Sequence, residues 1–245
     1  MPEIALPPPA GELFELRSLF VTRLCARAMV AGDHPLLQRI TSGASHAEEI
    51  SAWAQSRWCL AEYLAKKEIL VLAKAGDREA RRLWTTRLLA IDGHGDFYGP
   101  CKQGLIEAWR RLVTQLQPSE FLASQSSLEL TTTLERLFDE HLRFMASASW
   151  IESLGASIVD DWVVRHDWMA AVMLSASGTL AAISYGNWNP FKHEESSLNT
   201  MLALDTQFGP CEDRDFSGQI CRSLEKRVEL EHAILTAVQV FGSSR

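Results

Sequence analysis

The chain has 245 residues, of which 47% are hydrophobic and 22% charged, with a formal net charge of −7. It is long enough to bury a full core, and its composition is that of an ordinary globular protein rather than a disordered or fibrous one. The acidic balance argues against a nucleic-acid footprint, which needs clustered Lys and Arg.

Pro7-Pro8-Pro9 marks residues 1–10 as an extended leader, and residues 11–245 then read as one domain. Helix is expected from about Gly11, where Leu13, Leu16, Leu19 and Phe20 recur at helical spacing. Gly32-Asp33-His34-Pro35 breaks the pattern, and a short helix follows through Leu36, Leu37 and Ile40. Ser45 with Glu48 three residues on has the form of a capping box, opening a long helix to Ala75. The next helix covers 77–91 and closes at Gly93, and the glycine-rich 93–100 stretch cannot be regular structure. Further helices are expected over 103–116, 118–124, 128–145, 147–165, 167–184, 193–208 and 213–241. The last carries Leu224, Val228, Glu231, Leu235 and Val238 on one stripe, with His232 at its edge. No period-two alternation persists, so the fold class is all-α: a single helical bundle.

Arg78, Arg81, Arg82 and Arg87 cluster among acidic residues, as on a solvated helix face. The five cysteines (Cys25, Cys59, Cys101, Cys211, Cys221) form no Cys-x-x-Cys pair and suit free thiols in a reducing cytoplasm. The N-terminus has no basic and apolar signal pattern. The apolar run Trp168–Tyr185 is interrupted by Ser175, Ser177, Gly178 and Thr179, so no membrane span is expected.

Three segments carry a resemblance. They are Ile50-Ser51-Ala52-Trp53-Ala54-Gln55-Ser56-Arg57-Trp58, the run Arg81–Gly93 ending in Ile91-Asp92-Gly93, and Gly104-Leu105-Ile106-Glu107-Ala108-Trp109. Together they resemble the haem-oxygenase-like helical superfamily, in its PqqC-like branch with the TenA and CADD-type relatives. The resemblance implies a bundle of about eight to ten helices. In the di-iron relatives, inward carboxylates and histidines hold two metal ions. Glu62 falls near one such carboxylate. Ala148-Ser149-Trp150-Ile151-Glu152-Ser153-Leu154 puts Glu152 on a second, and Leu202–Phe208 puts Asp205 on a third.

The histidines of that pattern are replaced by Ile69, Met201 and Phe208, so iron is expected to bind weakly if at all. The cofactorless PqqC pattern is also incomplete: Ile91 stands where that branch has His before Asp-Gly, and Met29-Val30 replace a Tyr-His pair. Arg57, Lys67, Arg87 and His34-Pro35 match. That leaves Arg57, Lys67 and Arg87 as anion clamps, with Trp58 as an aromatic wall and His94 as a loop imidazole that could swing toward a pocket mouth. Two readings stay open. One is a PqqC-like oxidoreductase-type protein of small-molecule biosynthesis, acting on or binding an anionic amino-acid-derived or aromatic substrate. The other is a catalytically silent member working as a ligand-binding or partner subunit. Family resemblance adds a homodimer, or a heterodimer with a paralogue, in the cytoplasm.

Overall fold

The structure, a computed structural model, describes residues 26–76, 78–93, 104–116, 125–176 and 214–242. A helical stretch at 26–29 runs into a 3-10 turn, Val30–Gly32. The α-helices are α1 Pro35–Ser42, α2 Ala47–Lys74, α3 Arg78–Asp92, α4 Leu105–Leu116, α5 Gln125–Ser147, α6 Trp150–Ala176 and α7 Arg214–Gly242. Among the described residues there is no strand, so the all-α expectation holds. No helix among them is long and apolar enough to cross a membrane.

α2 is the central helix. Every residue from Glu49 to Arg57 is buried, which requires neighbours on all sides. Those neighbours are α3, α4, α5 and α7, with α6 in lighter contact. Trp53 meets Trp109 of α4 edge-to-face at 5.3 Å, and Tyr63 stacks on Phe138 of α5 at 4.8 Å. α6 and α7 form the most extensive helix pair. Gly155 permits their close approach, because a Cβ there would run into the Ile220 carbonyl oxygen.

Three local expectations change. The helices expected over 147–165 and 167–184 are one helix, Trp150–Ala176, as far as the described residues go. The polar run Arg165-His166-Asp167 does not break it, because Asp167 turns inward to an ion-pair partner. The Ser45–Glu48 capping box does not form: His46 occupies the N-cap without a side-chain cap bond, and Glu49 pairs with Arg39 at 2.6 Å. Arg78, Arg81 and Arg82 are exposed as expected, but Arg87 leans inward over the Trp84 ring.

Gly93 does close α3, with φ 92°. Cys59 and Cys221 are free thiols, and burial pushes Cys59 up to about 12, away from nucleophilic use. The leader, the expected helix start at Gly11, and the 118–124 and 193–208 helices lie outside the described residues, as do Cys25, Cys101 and Cys211.

Candidate functional site

The centre of the bundle is ionic rather than purely apolar. α2 contributes Arg57, Lys67 and Glu68, and α6 contributes Asp160, Asp161 and Asp167. α7 adds Arg227 and Glu231 one turn apart, and α3 adds Arg87. Arg57 lies with Nε 3.1 Å from Asp167 Oδ2 and Nη2 2.6 Å from Glu231 Oε1. The other Glu231 oxygen accepts from Arg227 Nη1 at 3.1 Å, and Arg227 Nε donates to Asp160 Oδ1 at 2.6 Å. Lys67 donates to the other Asp160 oxygen and to Ser157 Oγ, and sits 3.0 Å from Glu68 Oε1. Arg87 ends the row, donating to that Glu68 oxygen at 3.2 Å and to Asp161 Oδ1 at 2.8 Å.

The charges alternate in sign along this row, with a carboxylate at each end, Asp167 and Asp161. Alternation is what the physics of burial demands, since an uncompensated charge in a low-dielectric core is expensive. The row nevertheless carries one more carboxylate than cations. The excess is resolved at Asp167, where burial, reinforced by the charge of Glu231, pushes the carboxyl up to about 7 against the pull of Arg57. Glu231 goes the other way. Burial would raise it too, but it faces two guanidiniums, Arg57 and Arg227, and is held below its ordinary value. At Asp160, Lys67 and Arg227 likewise overcome burial and hold the carboxyl down at about 2. A neutral or half-ionised Asp167 therefore closes the charge balance near pH 7.

Several buried polar atoms in and around the row have no hydrogen-bond partner among the described residues, Arg87 Nε among them. Arg57 Nη1 and Arg227 Nη2 are buried with no hydrogen-bond partner among the described residues, although other nitrogens of each guanidinium face Glu231. His141 Nε2 is also without a partner. Its Nδ1 lies 2.6 Å from the Tyr63 hydroxyl, and burial, with Arg227 nearby, lowers the imidazole to about 3, so it is neutral.

The sequence-derived site residues fall as follows. Arg57, Lys67 and Arg87 are brought together in the buried row, but each is already neutralised by carboxylates, so they do not form a cluster of spare positive charge. Trp58 is half-buried against the core. Glu62 projects to the exposed side of α2 and lines no interior. Glu152 does not point into the bundle centre either. It closes a capping box at the start of α6, accepting from the Ser149 backbone N–H at 3.3 Å while its own N–H donates to Ser149 Oγ at 3.1 Å, and it pairs with Arg222. Lys67 and Arg57 are therefore not its partners. His94 and Asp205 lie outside the described residues.

Neither Glu62 nor Glu152 fits an iron ligand as placed. The inward carboxylates are committed to Lys and Arg, and among the described residues no group of three or more His, Cys, Asp or Glu could hold a metal ion. Missed in the sequence were Asp160, Asp167, Glu68, Arg227 and the Tyr63–His141 pair. One signal was available: Glu231 occupies an apolar stripe, and a carboxylate there requires a buried cation beside it.

Comparison with known proteins agrees with this architecture. The pyrroloquinoline-quinone synthase of Pseudomonas entomophila (strain L48) is 28% identical over 150 residues, which cover 56% of this chain. The chain spans 57% of that synthase's length. The synthase of Pseudomonas aeruginosa (strain LESB58) is likewise 28% identical, over 152 residues covering 56% of this chain and 58% of its own. Among solved structures, a TenA homologue from Pseudomonas syringae pv. tomato str. DC3000 superposes with a TM-score of 0.62 at 10% identity, covering 91% of this chain and 93% of its own. A domain of unknown function with a haem-oxygenase-like fold, from Shewanella denitrificans OS217, gives 0.61 at 16% identity, covering 95% and 96%. The model of the TENA/THI-4/PQQC family matches residues 22–167, which include every member of the ionic row except Arg227 and Glu231. The chain belongs to the TENA/THI-4/PQQC family.

Proposed function

We propose that this is a PqqC-like protein of small-molecule biosynthesis that binds a small carboxylate-bearing metabolite, amino-acid-derived or aromatic, at the centre of its bundle. The observation that carries the reading is the pair of buried guanidinium nitrogens, Arg57 Nη1 and Arg227 Nη2, without a hydrogen-bond partner among the described residues, in two guanidiniums that both pair with Glu231. A buried charged donor without an acceptor costs several times what a satisfied one gains, so such atoms favour an acceptor-rich ligand. Guanidinium forks suit carboxylates in particular. Because the row is already near charge balance, the ligand is held by directed hydrogen bonds more than by net positive potential. Binding without oxidation, the silent-member reading, is favoured: the described donor set suits no redox metal, and Ile91 and Met29-Val30 replace the imidazole and Tyr-His pair of the cofactorless branch. A cytoplasmic dimer is part of the same proposal and rests on family resemblance.

The test is thermal stabilisation by a panel of aromatic amino acids and small dicarboxylates, in wild type and in Arg227→Lys, which removes the open nitrogen but keeps the charge. A ligand at 100 times its Kd stabilises by about 2.7 kcal/mol, a readily measured shift. Stabilisation lost in Arg227→Lys supports the proposal. Stabilisation equal in both proteins, or by no candidate, overturns it.

A further inference from the structure

The corner where the 3-10 turn meets α1 is fastened to α7 by two histidines. His34 is the N-cap of α1, in extended conformation ahead of Pro35, and its Nδ1 accepts from the Leu36 backbone N–H at 3.2 Å. Its Nε2 lies 3.3 Å from Thr236 Oγ1 of α7. His232 of α7 reaches back to the turn, with Nε2 2.9 Å from the Val30 carbonyl oxygen, and the two imidazole rings are 6.0 Å apart.

Donor and acceptor chemistry fixes the tautomers. A carbonyl only accepts, so His232 carries its proton on Nε2. A backbone N–H only donates, so His34 Nδ1 must be bare and its proton sits on Nε2. The only place left on His34 for a second proton is Nδ1, the atom that caps the helix. Being charged and capping α1 are therefore mutually exclusive. Protonation would replace an acceptor by an N–H facing the Leu36 N–H, and would put a positive charge at a helix N-terminus, where the dipole disfavours it.

The surroundings make that proton harder to accommodate. Around His34 stand His232 and Glu231 of α7, Arg39 of α1 and Arg57 of α2, with the exposed Asp33 preceding it. On the α6 side, Trp162, stacked on His166, lies against Gly32. Glu231 is the nearby buried carboxylate, and it already holds two guanidiniums. We infer that His34, seated between α1 and α7 beside His232, is an acid-sensitive latch: neutral, its Nδ1 caps α1 at the corner fastened to α7, and charged, it uncaps that helix. The direction of the His34 shift agrees. Burial first, then His232, lower it from the ordinary histidine value. The native state thus resists the proton that the unfolded chain accepts, and the stability the latch supplies is complete above about 6.5 and lost as pH falls through the lower folded value.

The experiment is amide hydrogen exchange of the full-length protein between pH 7.5 and 5, corrected for the intrinsic pH dependence of exchange, read at Leu36, Leu37 and Gln38. His34→Asn is the key variant: asparagine is a good N-cap acceptor and does not titrate. In wild type these amides should lose protection by roughly fivefold toward pH 5, the size of one lost helix cap. In His34→Asn protection should stay level across the range. Wild-type protection unchanged down to pH 5 overturns the inference, as does the same acid loss in His34→Asn. His232→Gln, which keeps a donor for the Val30 carbonyl, should move the midpoint of the wild-type loss upward by removing a like charge. A downward shift would overturn the latch.

Discussion

Arg57 Nη2 lies 2.6 Å from Glu231 Oε1, with both side chains fully buried, and Glu231 is at the same time the carboxylate of Arg227. One α2 residue and one α7 residue thereby join the two halves of the ionic row. Such a pair contributes little relative to a well-packed apolar substitute, but breaking it from one side strands the other charge. Arg57→Ala, which exposes Asp167 and Glu231 to each other without their shared cation, should cost about 3–5 kcal/mol in urea unfolding. The double variant Arg57→Met with Glu231→Met should be less destabilised than the sum of its single changes, by a coupling of about 1–3 kcal/mol. Strict additivity would mean that the two charges do not interact.

Glu152 separates capping from ligand binding. Glu152→Ala should remove one half of the α6 capping box and cost about 1 kcal/mol, with ligand-induced stabilisation unchanged. Ser149→Ala should give a loss of the same order, because the two residues act reciprocally. Loss of ligand binding in Glu152→Ala, with stability retained, would return this residue to the site.

Asp167 gives the stability a signature in pH. Its folded value, raised by burial to about 7, lies above the unfolded value of about 3.9. Between those values the native state keeps a proton that the unfolded chain has released. Its contribution is therefore complete below about 4 and is lost as pH rises through about 7. In Asp167→Asn the amide mimics the protonated carboxyl. Wild type should lose more stability from pH 5 to pH 8 than Asp167→Asn does, judged by urea midpoints. His34 and His141, both lowered by burial, push the other way below about 6.5 and are common to both proteins, so the difference isolates Asp167. Parallel pH profiles would place the proton elsewhere.

Metal content tests the donor set directly. Protein purified from iron-supplemented cells should carry substoichiometric iron by elemental analysis, with no persistent di-iron absorption in air, because carboxylates committed to Arg and Lys leave iron under-ligated. Two tightly held irons per chain would require ligands from outside the described residues and would support a metal-dependent oxidase.

Tyr63→Phe should cost about 1 kcal/mol by removing the hydrogen bond to His141 Nδ1 while keeping the stack on Phe138. A loss several times larger would show that the hydroxyl supports more of the buried row than His141 alone.

Helix content, most helix positions and the family were legible in the residues. Hydrophobic period, glycine stops and the Trp53–Arg57 segment are local properties of the chain, and local geometry enforces them in any context. Even the inward direction of Arg57 and Lys67 followed from resemblance along one helix. What those cations touch did not follow. Asp160, Asp167, Arg227 and Glu231 come from α6 and α7, between 93 and 174 residues away in sequence from Lys67 and Arg57, and only the packing of the bundle brings them together. The same holds for the carboxylates expected as ligands. Glu62 and Glu152 sit on helices as expected, but a helix has several faces, and an end has orphan N–H groups that a carboxylate can satisfy. Sequence spacing sets which residues share a face. Which face is turned inward, and which charge waits there, was decided by tertiary structure, because burial penalises any charge that arrives without its partner.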